Sequence, residues 1–197
     1  MLASDIIEYH QRSKHQVNRY APGPHGLDWA NQPEPFRVFA GAPRVDLPLA
    51  SDGPVTRFSA IRRGELPPPQ AFDLRSVATV FELSLGLSAW KSFGGTRCAL
   101  RCNPSSGNLH PTEGYLLSAR LAGLSAGVYH YVSRDHILER RALFEDPQWD
   151  SAFVSDGVVI GLSSIHWREA WKYGMRAWRY CQHDCGHAIA AVSYAAA

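Results

Sequence analysis

Ten of the chain's thirteen prolines fall between Pro22 and Pro69. Proline has no backbone N–H to give a ladder and fixes φ near −65°. That density forbids a long helix or a central strand. Residues 21–70 are therefore expected to run as an extended arm over a surface, with at most a short strand near "FRVFAG". Such an arm is either a linker or an oligomer contact.

The arm divides the chain. Before it, residues 4–16 predict a short helix, with Ser4 as N-cap and Ile6, Ile7 and His10 on one side. After it, residues 76–91, "SVATVFELSLGLSAWK", space Val77, Val80, Phe81 and Leu85 for one helical face. Strand patterns follow: "TRCALRC", "GYLLSARL" with Tyr115, Leu117, Ala119 and Leu121 alternating, and a hairpin of "GVYHYV" and "HILERR" joined by "SRD". "GVVIGLSSI" is an unbroken apolar run, the pattern of a central strand. A helical stretch breaks at Gly174, and a long helix runs from about Met175 to the end. This order predicts an α+β fold with a mostly antiparallel sheet. Two parts are expected, a helix with its arm over 1–75 and a core over 76–197.

Twenty basic against eighteen acidic residues leave a net charge of +2. That balance gives no reason to expect nucleic acid or a membrane surface as partner. The apolar runs "GVVIGL" and "AIAAVSYAAA" fall short of the roughly 20 residues a spanning helix needs. The N-terminus carries Asp5 and Glu8 and lacks the basic start and cleavage site of a signal peptide. A cytoplasmic location is expected, with the four cysteines as reduced thiols.

Two stretches carry chemistry. "CQHDCGH" gathers Cys181, His183, Cys185 and His187, and Cys98 and Cys102 form a second Cys-x-x-x-Cys. Trp178, Cys181, Cys185, Ile189, Val192 and Ala196 are spaced as one buried helical stripe, which accounts for the later two cysteines without zinc. No metal is expected. Gly186 interrupts that helix, where glycine costs about 1 kcal/mol relative to alanine, and marks close approach by a neighbouring helix or a ligand ring. The second stretch is "RCNPSSGNLHPTEGYLL", residues 101–117. Its small neutral turn offers an amide, an imidazole and backbone N–H groups to the acceptors of a heterocycle or a phosphate. The alternative is a turn whose serines and asparagines only bond their own backbone.

"PSSGNLHPTEGYLL" resembles the flavin loop of the nitroreductase superfamily, with His110 where many members have Gln. "GVYHYVSRDHILERR" resembles the hairpin of its SagB/ThcOx-type branch, FMN-dependent dehydrogenases that oxidise azolines in peptide natural products. "WREAWKYGMRAWRYCQHDCGHAIAAVSYAAA" resembles that branch's Lys-Tyr element and the helix after it. The resemblance covers roughly 76–197, and "YHQRSKH" partly matches the superfamily's phosphate-binding start. It implies an FMN cofactor with Arg12, Ser13 and Lys14 near the phosphate. Arg101, Pro104, Ser105, Ser106, Gly107 and Asn108 would line the isoalloxazine, with Asn108 and His110 near its polar edge. Lys172 and Tyr173 match the catalytic pair, and Asp184, Gly186 and His187 would lie on the helix beside the cofactor. A lysine or tyrosine acting as base needs a lowered pKa, which Arg168, Arg176 and Arg179 are expected to supply. The alternative is a surface lysine beside a core tyrosine.

The resemblance also implies further chain after residue 197 and a site shared between two subunits, in a homodimer or with a second nitroreductase-like half. The expected activity is oxidation of a peptide azoline or reduction of a nitro or quinone substrate. The alternative is a non-catalytic half that serves as a dimerisation scaffold.

Overall fold

The computed structural model describes residues 2–119, 121–145 and 157–197. Helix α1 spans Ala3–Ser13. Its N-cap is Leu2 rather than Ser4, because the Asp5 carboxylate accepts the Leu2 N–H at 2.9 Å. Strand β1 is Arg44–Asp46 and α2 is Phe58–Arg62. Helix α3, Leu74–Ser84, starts where Asp73 accepts the Ser76 N–H at 2.9 Å. Strands β2 (Leu87–Phe93) and β3 (Thr96–Arg101) form a separate hairpin across Gly94 and Gly95. Then come β4 (Thr112–Ser118), β5 (Gly127–Val132), β6 (Ile137–Leu143) and β7 (Val158–Ser164). Helix α4, His166–Tyr173, passes through a turn at Gly174–Arg176 into α5, Ala177–Ala196. The fold is α+β, with an antiparallel sheet of order β1-β6-β5-β4-β7. No helix among the described residues is long and apolar enough to cross a membrane.

One face of the sheet packs on α3 and α5. Phe81 stacks on Tyr131 at 4.6 Å, and Val77, Ala78, Leu85, Leu116, Tyr129, Leu138 and Ala188 complete a buried core. On β4 the fully buried leucine is Leu116, not a member of the alternating set that contains Tyr115 and Leu117. The reason is Gly114, two residues before it on the same face. A Cβ there would lie 2.5 Å from Leu85 Cδ1, so the glycine admits α3 against the sheet.

Other expectations change as well. The helix expected over 76–91 stops at Ser84, because the Leu85 and Gly86 N–H groups both return to the Phe81 carbonyl and close it. Residues 87–93 pair with β3 instead. "FRVFAG" forms no strand; the arm's strand is Arg44–Asp46, paired with β6. The run "GVVIGLSSI" is not central. It pairs only with β4 among the described residues, and Val158, Ile160 and Leu162 are apolar because they pack against the core. The buried stripe of α5 is Ala177, Cys181, Asp184 and Ala188, while Trp178 and Ile189 are exposed. The helix is rotated toward the small residues because the polar Asp184 has partners inside.

The arm lies on this chain's own surface. Outside β1 and α2, most of its backbone groups need partners from elsewhere. Core side chains supply them. Arg101 donates to Pro35 O at 2.9 Å, Arg168 to Glu34 O at 2.9 Å and Trp171 to Asp28 O at 2.7 Å. Glu139 accepts the Phe39 N–H at 2.9 Å, and Glu82 accepts those of Ala50 and Ser51 at 2.7 and 3.0 Å.

Gly114→Ala is expected to cost about 1–3 kcal/mol by overpacking against Leu85. Combined with Leu85→Ala, the loss should be less than the sum of the single losses, as chemical denaturation of the four proteins would show.

Candidate functional site

The loop between β3 and β4 is bent tightly. Gly107 has φ +64°, and Asn108 and His110 sit at φ 60° and 50°. Non-glycine residues in that region cost on the order of 1–3 kcal/mol each and persist only where surroundings impose them. Asp184 of α5 imposes them here. Fully buried, it accepts the Ser105 hydroxyl at 3.0 Å, the Ser106 N–H at 2.9 Å and the Ser106 hydroxyl at 2.8 Å. Ser105 Oγ in turn accepts the His110 N–H at 2.8 Å.

Lys172 and Tyr173 lie on the same turn. A Cβ at Gly107 would sit 2.6 Å from Tyr173 Oη and 3.1 Å from Lys172 Nζ. Lys172 Nζ donates to Gly107 O at 3.4 Å. From Tyr173 the surface continues to Tyr180, ring centroids 4.3 Å apart, and to Arg176, 5.3 Å from the Tyr173 ring. Arg176 donates to Tyr180 Oη at 3.1 Å and to His15 Nε2 at 2.8 Å, just beyond α1. Turn, Lys-Tyr pair and the end of α1 thus form one continuous path.

The electrostatics differ from expectation. Burial, then the neighbouring Glu169 and Tyr180, push the Tyr173 phenol above its usual range, and Arg176 opposes them without prevailing. Arg168 faces away, donating to His110 O at 2.7 Å and to Glu113. Arg179 is drawn to α1, where it bonds Ser13 Oγ at 3.0 Å and His10 O at 3.1 Å. Tyr173 therefore keeps its proton.

Of the other residues singled out in the sequence, Ser13 is buried against Arg179, Arg12 is exposed and pairs with Glu8 at 3.2 Å, and Lys14 is half-buried. Pro104 is exposed at the start of the turn. Arg101 points inward to Thr112 O at 3.0 Å and to the arm. Asn108 and His110 both turn to the Ala99 carbonyl, at 2.9 and 3.3 Å. Gly186 and His187 face outward, and a Cβ at Gly186 would meet nothing within 4 Å among the described residues. Cys98 and Cys102 are exposed, apart from the buried Cys181.

Sequence reasoning passed over a buried charged cluster. Glu113, His130 and Glu139 sit on three adjacent strands, on the sheet face away from α3. His130 Nε2 meets Glu113 at 2.8 Å and Nδ1 meets Glu139 at 3.2 Å. Arg168 bonds Glu113 from α4. Burial works against the Glu113 charge, but the His130 hydrogen bond and then Arg168 and Arg101 outweigh it and hold the carboxyl below the usual range. The available signal was ionisable residues inside apolar strands, which are rarely buried unless paired. Glu169 was passed over as well. It is fully buried, neither carboxyl oxygen has a hydrogen-bond partner among the described residues, and it lies one helical turn before Lys172 and Tyr173.

No protein-family model matches the sequence, and no curated protein matches it. Solved structures do. A protein described as a nitroreductase from Anabaena variabilis ATCC 29413 aligns over 96% of this chain with a TM-score of 0.71 and 27% identity. The fold is nitroreductase-like. The E. coli microcin synthetase McbBCD complex, with truncated pro-MccB17 bound, aligns over 96% of the chain with a TM-score of 0.51 and 20% identity, which supports the fold alone. The chain spans 37% of the Anabaena protein's length and 71% of the microcin synthetase chain.

Removing one partner of a buried ion pair strands the other charge, at about 3–5 kcal/mol. Arg168→Met should therefore destabilise the nitroreductase-like core by about that amount, measured by urea unfolding. Burial, and then Arg101, lower the His110 imidazole to about 4 from its ordinary 6.5. Below pH 6.5 the unfolded chain takes up a proton that folded His110 refuses. Its contribution to stability is thus lost as pH falls from 6.5 toward 4. The melting temperature should drop across that window, and less steeply in His110→Gln.

Proposed function

We propose that this chain is an FMN-dependent oxidoreductase of the nitroreductase type, with Lys172 and Tyr173 as its catalytic pair. The observation that carries this reading is that Lys172 and Tyr173 lie on Gly107, 65 residues before Lys172, in the turn that resembles a flavin loop. The residues fit such a cofactor. The turn itself holds no carboxylate, and the path from Tyr173 through Arg176 ends beside Arg12, Ser13 and Lys14, which would meet the phosphate. Pro104, Ser105, Ser106 and Gly107 would border the ring. Asn108, His110 and Arg101 would act from behind by fixing the turn, and Gly186 and His187 would face the ligand or a partner from α5.

FMN supplies the hydride exchange that no side chain can perform. The chain's residues would handle the proton. Tyr173, held as a phenol, is a donor, which suits delivery of a proton to a nitro or quinone acceptor better than its removal from an azoline. Lys172, anchored on Gly107 O, places a cation where negative charge develops. A peptide azoline remains the second substrate class and is tested in the same assay.

A second reading rests on the likeness to a chain of the McbBCD complex. In it, this chain is one nitroreductase-like half that pairs with another copy or another half, and serves there as a scaffold.

The purified protein, mixed with excess FMN and passed through gel filtration, should retain flavin near one equivalent by its visible spectrum. Lys172→Ala and Tyr173→Phe should keep the flavin and lose most turnover of nitroaromatic, quinone or azoline substrates. Protein that elutes colourless would refute the enzyme reading for this chain and leave the scaffold.

A further inference from the structure

Two buried carboxyls lie near each other between α4 and α5, and they are served in opposite ways. Asp184 receives three donors from Ser105 and Ser106. Glu169 is as deeply buried, yet neither of its oxygens has a hydrogen-bond partner among the described residues. An ionised carboxylate is an acceptor only, and burying it without donors is far costlier than burying the neutral acid. The site is therefore arranged for one anion and one acid.

The groups that face Glu169 agree with this. Asp184 on α5 carries the like charge, and Cys181, also on α5, is buried beside it. On α4 itself, Lys172 and Tyr173 are its electrostatic neighbours, with Lys172 the cation that opposes the proton. From the loop between β3 and β4, the Ser105 hydroxyl and the Ser106 hydroxyl and N–H bond Asp184.

We propose that Glu169 is a positioning residue that acts through Asp184. As the neutral acid it leaves Asp184 free to hold the Ser105–Ser106 turn under Lys172 and Tyr173. Ionised, it sets a second negative charge between the helices, gives Lys172 a competing partner to Gly107 O, and loosens the turn. This deepens the reading above, since the turn is the proposed flavin loop. Its test uses flavin-free protein, so failure of one is distinguishable from failure of the other.

Burial, then Asp184, raises Glu169 to about 8, against an ordinary 4.5. The folded chain then binds a proton that the unfolded chain has lost, so stability falls as pH rises between those values. His110 acts oppositely, but only below 6.5, and Cys181 stays protonated to about 12. The window from 6.5 to about 8 therefore isolates Glu169 from both. In infrared spectra, wild-type protein at pH 6.5 should show one protonated-carboxyl band that titrates near pH 8 and is absent from Glu169→Gln. The wild-type melting temperature should fall by about 5 °C or more between pH 6.5 and 8.5, and that of Glu169→Gln should stay flat. Absence of the band at pH 6.5, or an equal fall in Glu169→Gln, would overturn the proposal. Should Glu169→Gln fail to fold, Asp184→Asn decides. Removing the like charge should move the band's midpoint to lower pH, and an unmoved midpoint would overturn the proposal.

Discussion

Everything proposed for this protein depends on one buried carboxylate. Asp184 sits on the inward face of α5 and takes three hydrogen bonds from two consecutive serines. Those bonds hold a loop with two non-glycine residues at positive φ, a shape it would not keep unaided. Once the loop is fixed, Gly107 is the flat place on which Lys172 and Tyr173 rest. Helix α5 thus does two jobs with one stripe: Cys181 and Ala188 pack as small apolar groups, and Asp184 between them anchors the turn.

The Pro-rich arm follows a similar logic. It has too few N–H groups to join the sheet fully, so its carbonyls and remaining amides reach Arg101, Arg168, Trp171, Glu82 and Glu139. Two of those side chains, Arg168 and Glu139, also belong to the buried cluster around Glu113 and His130. Arm, sheet and α4 are locked by the same charges. Arg168 joins Glu34 O, His110 O and Glu113 at once, so it ties the arm to the end of the proposed site.

Much of this was legible in the sequence. The proline run excluded a long helix or a central strand over the arm, though not the short helix α2, which was not expected; the "SRD" hairpin and the Gly174 break stood where expected, and the turn at Pro104–Asn108 marked itself by its composition. What was not legible depended on packing. Periodicity could not tell that Ser84 ends α3, because residues 85–91 keep helical spacing while Gly86 and the β3 partner decide otherwise. The stripe of α5 was misjudged because Trp178 and Ile189 look like core and Asp184 does not. Asp184 is buried only because Ser105 and Ser106 meet it from 78 or more residues away. Glu169 gave no signal, since an unpartnered buried acid is recognisable only from what fails to surround it.

The most direct test is hydrogen exchange at the Ser106 amide, followed by NMR in the wild type and in Asp184→Asn. The clamp predicts a strongly protected amide in the wild type. In the variant, protection should fall by about tenfold or more, the equivalent of 1.4 kcal/mol, while the sheet amides of Leu116 and Leu138 keep theirs. Equal protection of Ser106 in both proteins would show that the turn holds its shape without Asp184, and would contradict the assembly of the site described here.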